Sequence, residues 1–271
     1  MATSGDRQPE AATASTVDTQ NTQYDKIGTK YASMADLPAV QPERPSVIAA
    51  LGDIKGARCL DLACGLGRYA HLMHTLGASS VTGFDISTAM IDGAKATYPA
   101  SNFPSINFAI ADCSKPLPTD LESFDIIFAG WFLNYAGTEQ ELVNMFKIIK
   151  DNLKDNGKFI GITTNAHDTK VKEDKIDFYG LDVIVLDPAY VEPSGTKELG
   201  IKARVKSYTE HPIQFDVYQF NCHVYERCAE KAGLKLTWRE PVLPDDGRKE
   251  TGYWDRWLER PTYEVVTAVK I

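Results

Sequence analysis

Apolar positions along this chain recur in two different periods, and the switches between them mark out a series of elements. Residues 58–62 and 80–84 are short apolar runs that read as strands, while 67–76 carries helical spacing, as does 87–96, which Ser87 opens as N-cap. Residues 106–110 and 124–129 give a third and a fourth strand, separated by the turn Lys115-Pro116-Leu117-Pro118. Thr138 opens a helix with Leu142, Val143, Phe146, Ile149 and Leu153 on one face, and Asn156-Gly157 is expected to stop it in the left-handed conformation. Residues 158–163 follow as strand five. Strands alternating with helices predict right-handed crossovers and a doubly wound, mostly parallel α/β sheet.

Beyond Thr164 the rhythm breaks. Residues 183–186, 203–208 and 213–217 are strand-like with no helical period between them, so 165–216 is expected to be a β-rich cap inserted over a site. A helix over about 219–232, broken at Gly233, and strand-like runs at 234–240 and 263–270 joined by a long aromatic loop return the chain to the core. The expected organisation is a disordered tail over 1–23, a core over 24–164, the cap, and the remainder of the core over 217–271.

A chain of 271 residues, 43% hydrophobic, fits one such unit. The formal net charge of -8 and the lack of any basic run argue against a nucleic-acid partner. Cys59, Cys64, Cys113, Cys222 and Cys228 are odd in number and form no C-x-x-C pair, which fits a reducing compartment and a cytoplasmic protein. The first 23 residues lack the apolar run of a signal peptide, and no later stretch approaches the roughly 20 apolar residues of a membrane span. A monomer or weak homodimer acting on a small molecule is the expectation.

Between the first strand and its helix lies Gly65-x-Gly67-x-x-Ala70, the spacing of a nucleotide-binding turn. Asp85 ends the second strand at the offset where a carboxylate meets a ribose hydroxyl pair, which suits NAD and S-adenosylmethionine alike. Asp61 separates the two. It sits where a dinucleotide would place its pyrophosphate, and a carboxylate there repels phosphate but suits the ammonium of a methionyl group. With Asp112 after strand three, three carboxylates at successive strand ends favour a cationic, phosphate-free ligand. An NAD-dependent oxidoreductase and a catalytically silent binding module are the other classes that such a crevice admits.

Asp61-Leu62-Ala63-Cys64-Gly65-Leu66-Gly67 resembles the first motif of class I S-adenosylmethionine-dependent methyltransferases, with Ala63 where a glycine often stands. Gly83-Phe84-Asp85-Ile86-Ser87 resembles the second, Ala111-Asp112-Cys113 the third, and Phe124-Asp125-Ile126-Ile127 with Ala129-Gly130-Trp131 the fourth. The resemblance implies a seven-stranded Rossmann-like sheet with the last strand antiparallel, and S-adenosylmethionine as cofactor with S-adenosylhomocysteine as product. It implies that Asp85 binds the ribose, Asp112 and Cys113 the adenine region, and the segment from Asp61 to Gly67 the methionyl part, with Ile86, Met90 and Ala129 also at the cofactor. Tyr24 and Tyr31 are expected to close over it from an N-terminal segment. Tyr24-Asp25-x-Ile27-Gly28, the run from Gly130 to Ala136, Tyr179-Gly180 and Gly252-Tyr253-Trp254-Asp255 further resemble the toxoflavin synthase group of small-molecule methyltransferases and its fungal relatives, which include gliotoxin dithiol S-methyltransferases. That points to secondary metabolism, to thiol or dithiol methylation, and next to N-methylation of a heteroaromatic ring.

Methyl transfer from a sulfonium is an in-line displacement, in which positioning alone supplies about 7 to 11 kcal/mol. A thiol acceptor ionises readily and needs no dedicated base. If a base is used, His167, Asp168 and His211 are the candidates, because residues beyond a strand's carboxyl end and on a cap face the crevice. Trp131, Phe132 and Tyr135, with Tyr253 and Trp254 of the late loop, are expected to wall a flat acceptor. His71 and His74 share a helix without a third ligand, so no metal site is expected.

Overall fold

The computed structural model describes residues 23–119 and 121–271. Most of the expected tail lies outside the described residues, but Gln23 is held. Its side chain donates to the Asp216 carbonyl at 3.1 Å and accepts from the Asp216 amide at 2.9 Å. Next come α1 (Tyr24–Ile27), two 3-10 segments (Gly28–Asp36 and Pro38–Val40) and α2 (Glu43–Leu51). The regular alternation follows as β1 (Arg58–Leu62), α3 (Arg68–Thr75), β2 (Ser80–Asp85), α4 (Thr88–Thr97), β3 (Ile106–Ile110), β4 (Phe124–Gly130), α5 (Glu139–Asn152) and β5 (Leu153–Thr164). The cap comprises β6 (Lys175–Phe178), β7 (Leu181–Val191), β8 (Glu198–Ser207) and β9 (Gln214–Phe220); then come α6 (Cys222–Ala232), β10 (Leu234–Arg239), α7 (Asp255–Glu259) and β11 (Tyr263–Lys270).

The main sheet has seven strands in the order β10-β11-β5-β4-β1-β2-β3. From β5 to β3 all pairs are parallel, and β11 runs antiparallel between β5 and β10. Helices cover both faces. Leu142 and Phe146 of α5 and Val224 of α6 share one apolar cluster with Ile127 and Phe159; Val47 of α2, Leu72 of α3 and Ile91 of α4 share another with Phe128 and Ile160. Burial on both faces is why the central strands read as unbroken apolar runs.

The cap is a separate antiparallel sheet, β6-β7-β8-β9. Its inner residues Leu181, Ile201, Phe215 and Val217 form one cluster with Ile27, Met34, Leu37 and Val40 of the N-terminal segment. Cap and N-terminal segment are therefore folded as one roof.

Three boundaries differ from the sequence expectation. The helix over 138–157 stops at Asn152, and Asn156-Gly157 lies inside β5 rather than in a left-handed stop. Leu153 satisfies both periods, being fully buried while already extended (φ -86°, ψ 139°) and paired with Phe124. Gly157 is needed for close approach instead, since a Cβ there would lie 2.9 Å from the Asp125 carbonyl oxygen. The helix placed from residue 219 begins at Cys222, because Gln219 and Phe220 pair with Ile201 and Gly200 and extend the cap past 216. The late aromatic loop contains α7, which buries Trp257 completely.

Ser87 does cap α4, as its spacing indicates. Its Oγ accepts from the Met90 amide at 3.3 Å and donates to Asp25 Oδ1 at 2.6 Å, tying α1 to the core. Ser87→Ala is expected to lower stability by about 1 kcal/mol, the usual loss of a helix cap, read from chemical unfolding midpoints; an unchanged midpoint rejects the cap's contribution.

Candidate active site

A cavity of about 420 Å³ opens at the carboxyl ends of β1, β2, β4 and β5 and runs up to the cap and N-terminal segment. Its floor is the turn after β1, where Ala63, Gly65 and Gly67 have φ of 54°, 53° and 80°. The two glycines serve different ends. A Cβ on Gly65 would meet nothing within 4 Å, so that residue borders the cavity, whereas a Cβ on Gly67 would lie 2.5 Å from the Phe108 ring, so there the need is close helix-to-strand packing.

Asp85 stands opposite the turn. Its Oδ2 accepts from the Gly65 amide and its Oδ1 from the Ser87 amide, both at 2.9 Å. Asp61 is 1% exposed, and its Oδ2 has no hydrogen-bond partner among the described residues. Burial pushes the carboxyls of Asp61 and Asp85 above the usual carboxylate range. Both are thus set to gain from a cation. Asp112 is different. Partial burial raises it, but hydrogen bonds from Ser114 and Lys115 outweigh that and hold it below the usual range.

Glu43 of α2 reaches the same cavity with its side chain 1% exposed. Arg68 and Tyr69 each donate to its Oε2 at 2.6 Å, and Trp131 Nε1 donates to Oε1 at 3.0 Å. Trp131 holds a left-handed backbone (φ 59°) directly after β4. Tyr24, Tyr31 and Tyr135 close the roof side. The Tyr24 ring lies edge-on to both others at 5.2 and 5.9 Å, and its hydroxyl bonds that of Tyr135. Burial, reinforced by the Glu43 charge, pushes the Tyr31 phenol up to about 12, so it stays protonated at neutral pH.

Thirteen residues expected at the site line this cavity: Tyr24, Tyr31, Asp61, Ala63, Gly65, Asp85, Ile86, Met90, Asp112, Cys113, Trp131, Phe132 and Tyr135. Gly67 and Ala129 lie behind its wall, the latter fully buried in β4. Tyr253 and Trp254 do not reach it. Trp254 is 1% exposed and stacks on Tyr179 at 5.6 Å, while Tyr253 is 38% exposed.

The three base candidates lie off the cavity wall as well. His167 turns towards Glu264, with Nδ1 2.9 Å from its Oε1. Asp168 binds Lys175 at 2.6 Å and Arg260 at 3.2 Å, and these partners outweigh burial and keep its carboxyl below the usual range. His211 sits exposed on the turn before β9. Sequence reasoning missed Glu43, Arg68, Tyr69, Lys175 and Gln219 on the wall. Arg68 directly follows the glycine turn, which is a usable signal; Glu43 carries none, since its stretch matches no motif.

Residues 59–157 match the family model of a methyltransferase domain. Among curated relatives, a ubiquinone/menaquinone biosynthesis C-methyltransferase of Desulfotalea psychrophila is 30% identical over 132 residues, covering 47% of this chain and 52% of the relative. A ribosomal protein L11 methyltransferase of Porphyromonas gingivalis is 39% identical over 77 residues, 28% of this chain and 26% of the relative. The chain spans about half or less of the length of the curated relatives it matches. Among solved structures, the CcbJ methyltransferase of Streptomyces caelestis superposes with a TM-score of 0.60 at 16% identity over 93% of this chain and 98% of its own. An S-adenosylmethionine-dependent methyltransferase of Mesorhizobium loti gives 0.59 at 19% identity over 84% of this chain and 97% of its own.

S-adenosylmethionine fits this donor set. It is cationic and free of phosphate, which suits the unpartnered Asp61 oxygen and the open face of Gly65, and the dinucleotide reading is not favoured. The seven-stranded sheet and the acid-lined turn give this chain the fold of the class I S-adenosylmethionine-dependent methyltransferases, and residues 59–157 match a methyltransferase domain.

Proposed function

We propose that this protein methylates a small-molecule acceptor held beneath the cap, and that the acceptor is a thiol or dithiol. The observation that carries the reading is the cavity itself: it continues from the glycine turn to an apolar roof of Leu181, Val183, Val205, Phe215 and Val217. Such a space suits a small, partly flat molecule better than a folded macromolecule.

When bound, S-adenosylmethionine supplies the methyl group on a sulfonium. Asp85 and Asp112 would hold its nucleoside part, and Asp61 with the Glu43–Arg68 pair its amino-acid end. Trp131, Phe132 and Tyr135 orient the acceptor and exclude water. The cavity wall carries no histidine among the described residues, which favours an acceptor that ionises unaided. A thiol of ordinary pKa gives up its proton at pH 7 for about 2 kcal/mol, and its thiolate is a strong nucleophile. The five cysteines are all free, in keeping with a reducing compartment, and no described helix is long and apolar enough to cross a membrane.

The test is incubation of the full chain with methyl-labelled S-adenosylmethionine and a panel of aryl thiols, dithiols, phenols and ring-nitrogen heterocycles, read by mass spectrometry. Thiols are expected to gain one methyl group and dithiols one or two. Label confined to the other classes, or to added protein or RNA, rejects the proposal.

A further inference from the structure

Lys175, the first residue of β6, forms part of the cavity wall with its side chain only 5% exposed. Its Nζ donates to Asp168 Oδ2 at 2.6 Å, and among the described residues no second acceptor meets it. An ammonium has three N–H bonds, so two are left over. Arg260 reaches the same carboxylate through Nε at 3.3 Å and Nη2 at 3.2 Å.

Two cations thus share one carboxylate that is itself 1% exposed. Arg260 has further support from the carbonyl oxygens of Lys170 and Glu173, and from the Glu173 carboxylate at 4.0 Å, which is 67% exposed and screened by water. Lys175 is therefore left with a single carboxylate that it shares with Arg260, on the side of the cavity built by the cap. The wall's carboxylates Asp61, Asp85 and Asp112 all sit at the ends of β1, β2 and β3, and Glu43 is matched by Arg68. Negative charge surrounds the glycine turn, and positive charge meets it from beyond the carboxyl end of β5. A buried cation short of partners is costly unless an anion arrives.

We propose that Lys175 binds the acceptor as an anion, holding an ionised thiol or phenol at the cap end of the cavity. This rests on the methyltransferase reading and narrows its substrate class. The acceptor's proton leaves to water. Its lone pair then forms the bond to the methyl carbon while the methyl–sulfonium bond breaks, and that electron pair stays on the departing sulfur. An anion and a cation become two neutral products, so Lys175 loses its hold on the methylated acceptor and favours release. Asp168, from the segment after β5, and Arg260, from the segment after α7, are the charged groups that bias Lys175.

The test uses the full chain with S-adenosylhomocysteine and two probes, thiophenol and 4-nitrophenol, whose ionised forms absorb at longer wavelength than the neutral ones. Titrating pH and following absorbance gives the ionisation constant of each bound probe. Bound to the native protein, at least one probe is expected to ionise about tenfold more readily than free. Lys175→Met is expected to erase that shift and Lys175→Arg to retain most of it. Lys175→Met with Asp168→Asn, which removes the ion pair as a unit and leaves Arg260 its two carbonyl acceptors and Glu173, is expected to match the single Met variant and covers the case in which that variant misfolds. Enhanced ionisation of thiophenol alone marks a thiol site, and of 4-nitrophenol alone a phenol site. Failure of both probes to bind, or an unchanged constant in the Met variants, overturns the role of Lys175. If calorimetry shows no S-adenosylhomocysteine binding at all, it is the methyltransferase reading that fails.

Discussion

Glu43→Ala is expected to destabilise the protein by about 3 kcal/mol, the lower end of the range for breaking a buried ion pair. The lower end applies because the Arg68 side chain is 43% exposed and stays hydrated once unpaired. The loss is wider than one pair. Tyr69 and Trp131 would each lose the acceptor that fixes them, and an unsatisfied donor costs about 1 to 3 kcal/mol when fully buried. Trp131 keeps a left-handed backbone that surrounding contacts must hold, and its indole bond to Glu43 is one of these. Urea unfolding of the two proteins measures the difference. Glu43→Gln, which keeps the shape and one acceptor oxygen, is expected to lose less. A loss below about 1 kcal/mol for the alanine variant would show that the cluster does not anchor α2 to the wall.

For Asp85→Ala, S-adenosylhomocysteine is expected to bind about 1.5 to 3 kcal/mol more weakly, the loss typical of hydrogen bonds to a charged group, or roughly ten- to a hundredfold in dissociation constant. Asp85 does two things at once. It faces the cavity at the end of β2, and it fixes the glycine turn through the Gly65 amide and the start of α4 through the Ser87 amide. Asp85→Asn separates them, since an amide retains one acceptor for those amides but no charge. If the charge matters most, both variants weaken binding alike; if the turn does, asparagine restores most of it. Calorimetry reads each outcome, and an unaltered constant in both variants removes Asp85 from the cofactor site.

Much of the core was legible along the chain. The bounds of β1 and β3 match the runs at 58–62 and 106–110: β1 lies inside the sheet and is buried along most of its length, and the edge strand β3 keeps Ile106 and Phe108 buried although Asn107 and Ile110 are exposed. The acids Asp61, Asp85 and Asp112 were found from their places at successive strand ends, and the structure brings all three to one cavity. Local pattern failed where one residue satisfied two periods, as Leu153 does, and where burial was mistaken for access, as with Trp254. It failed again at Asp168. A residue just past a strand end faces the crevice only if the chain continues outward, and here it turns so that the carboxylate meets Lys175 and Arg260.

The sequence by itself determined the alternation of strands and helices from β1 to β5, the glycine turn with its acids, and a β-rich stretch after β5, since each is written in the spacing of near neighbours. Only the tertiary structure decided which polar and charged groups pair with one another. Glu43 meets Arg68 and Trp131, Tyr24 meets Tyr135, and Lys175 and Arg260 meet at Asp168, each pairing joining different elements or segments of the chain. Periodicity reports which face of an element is buried; it carries no record of what that face will touch, because the partner is selected by the packing of the whole.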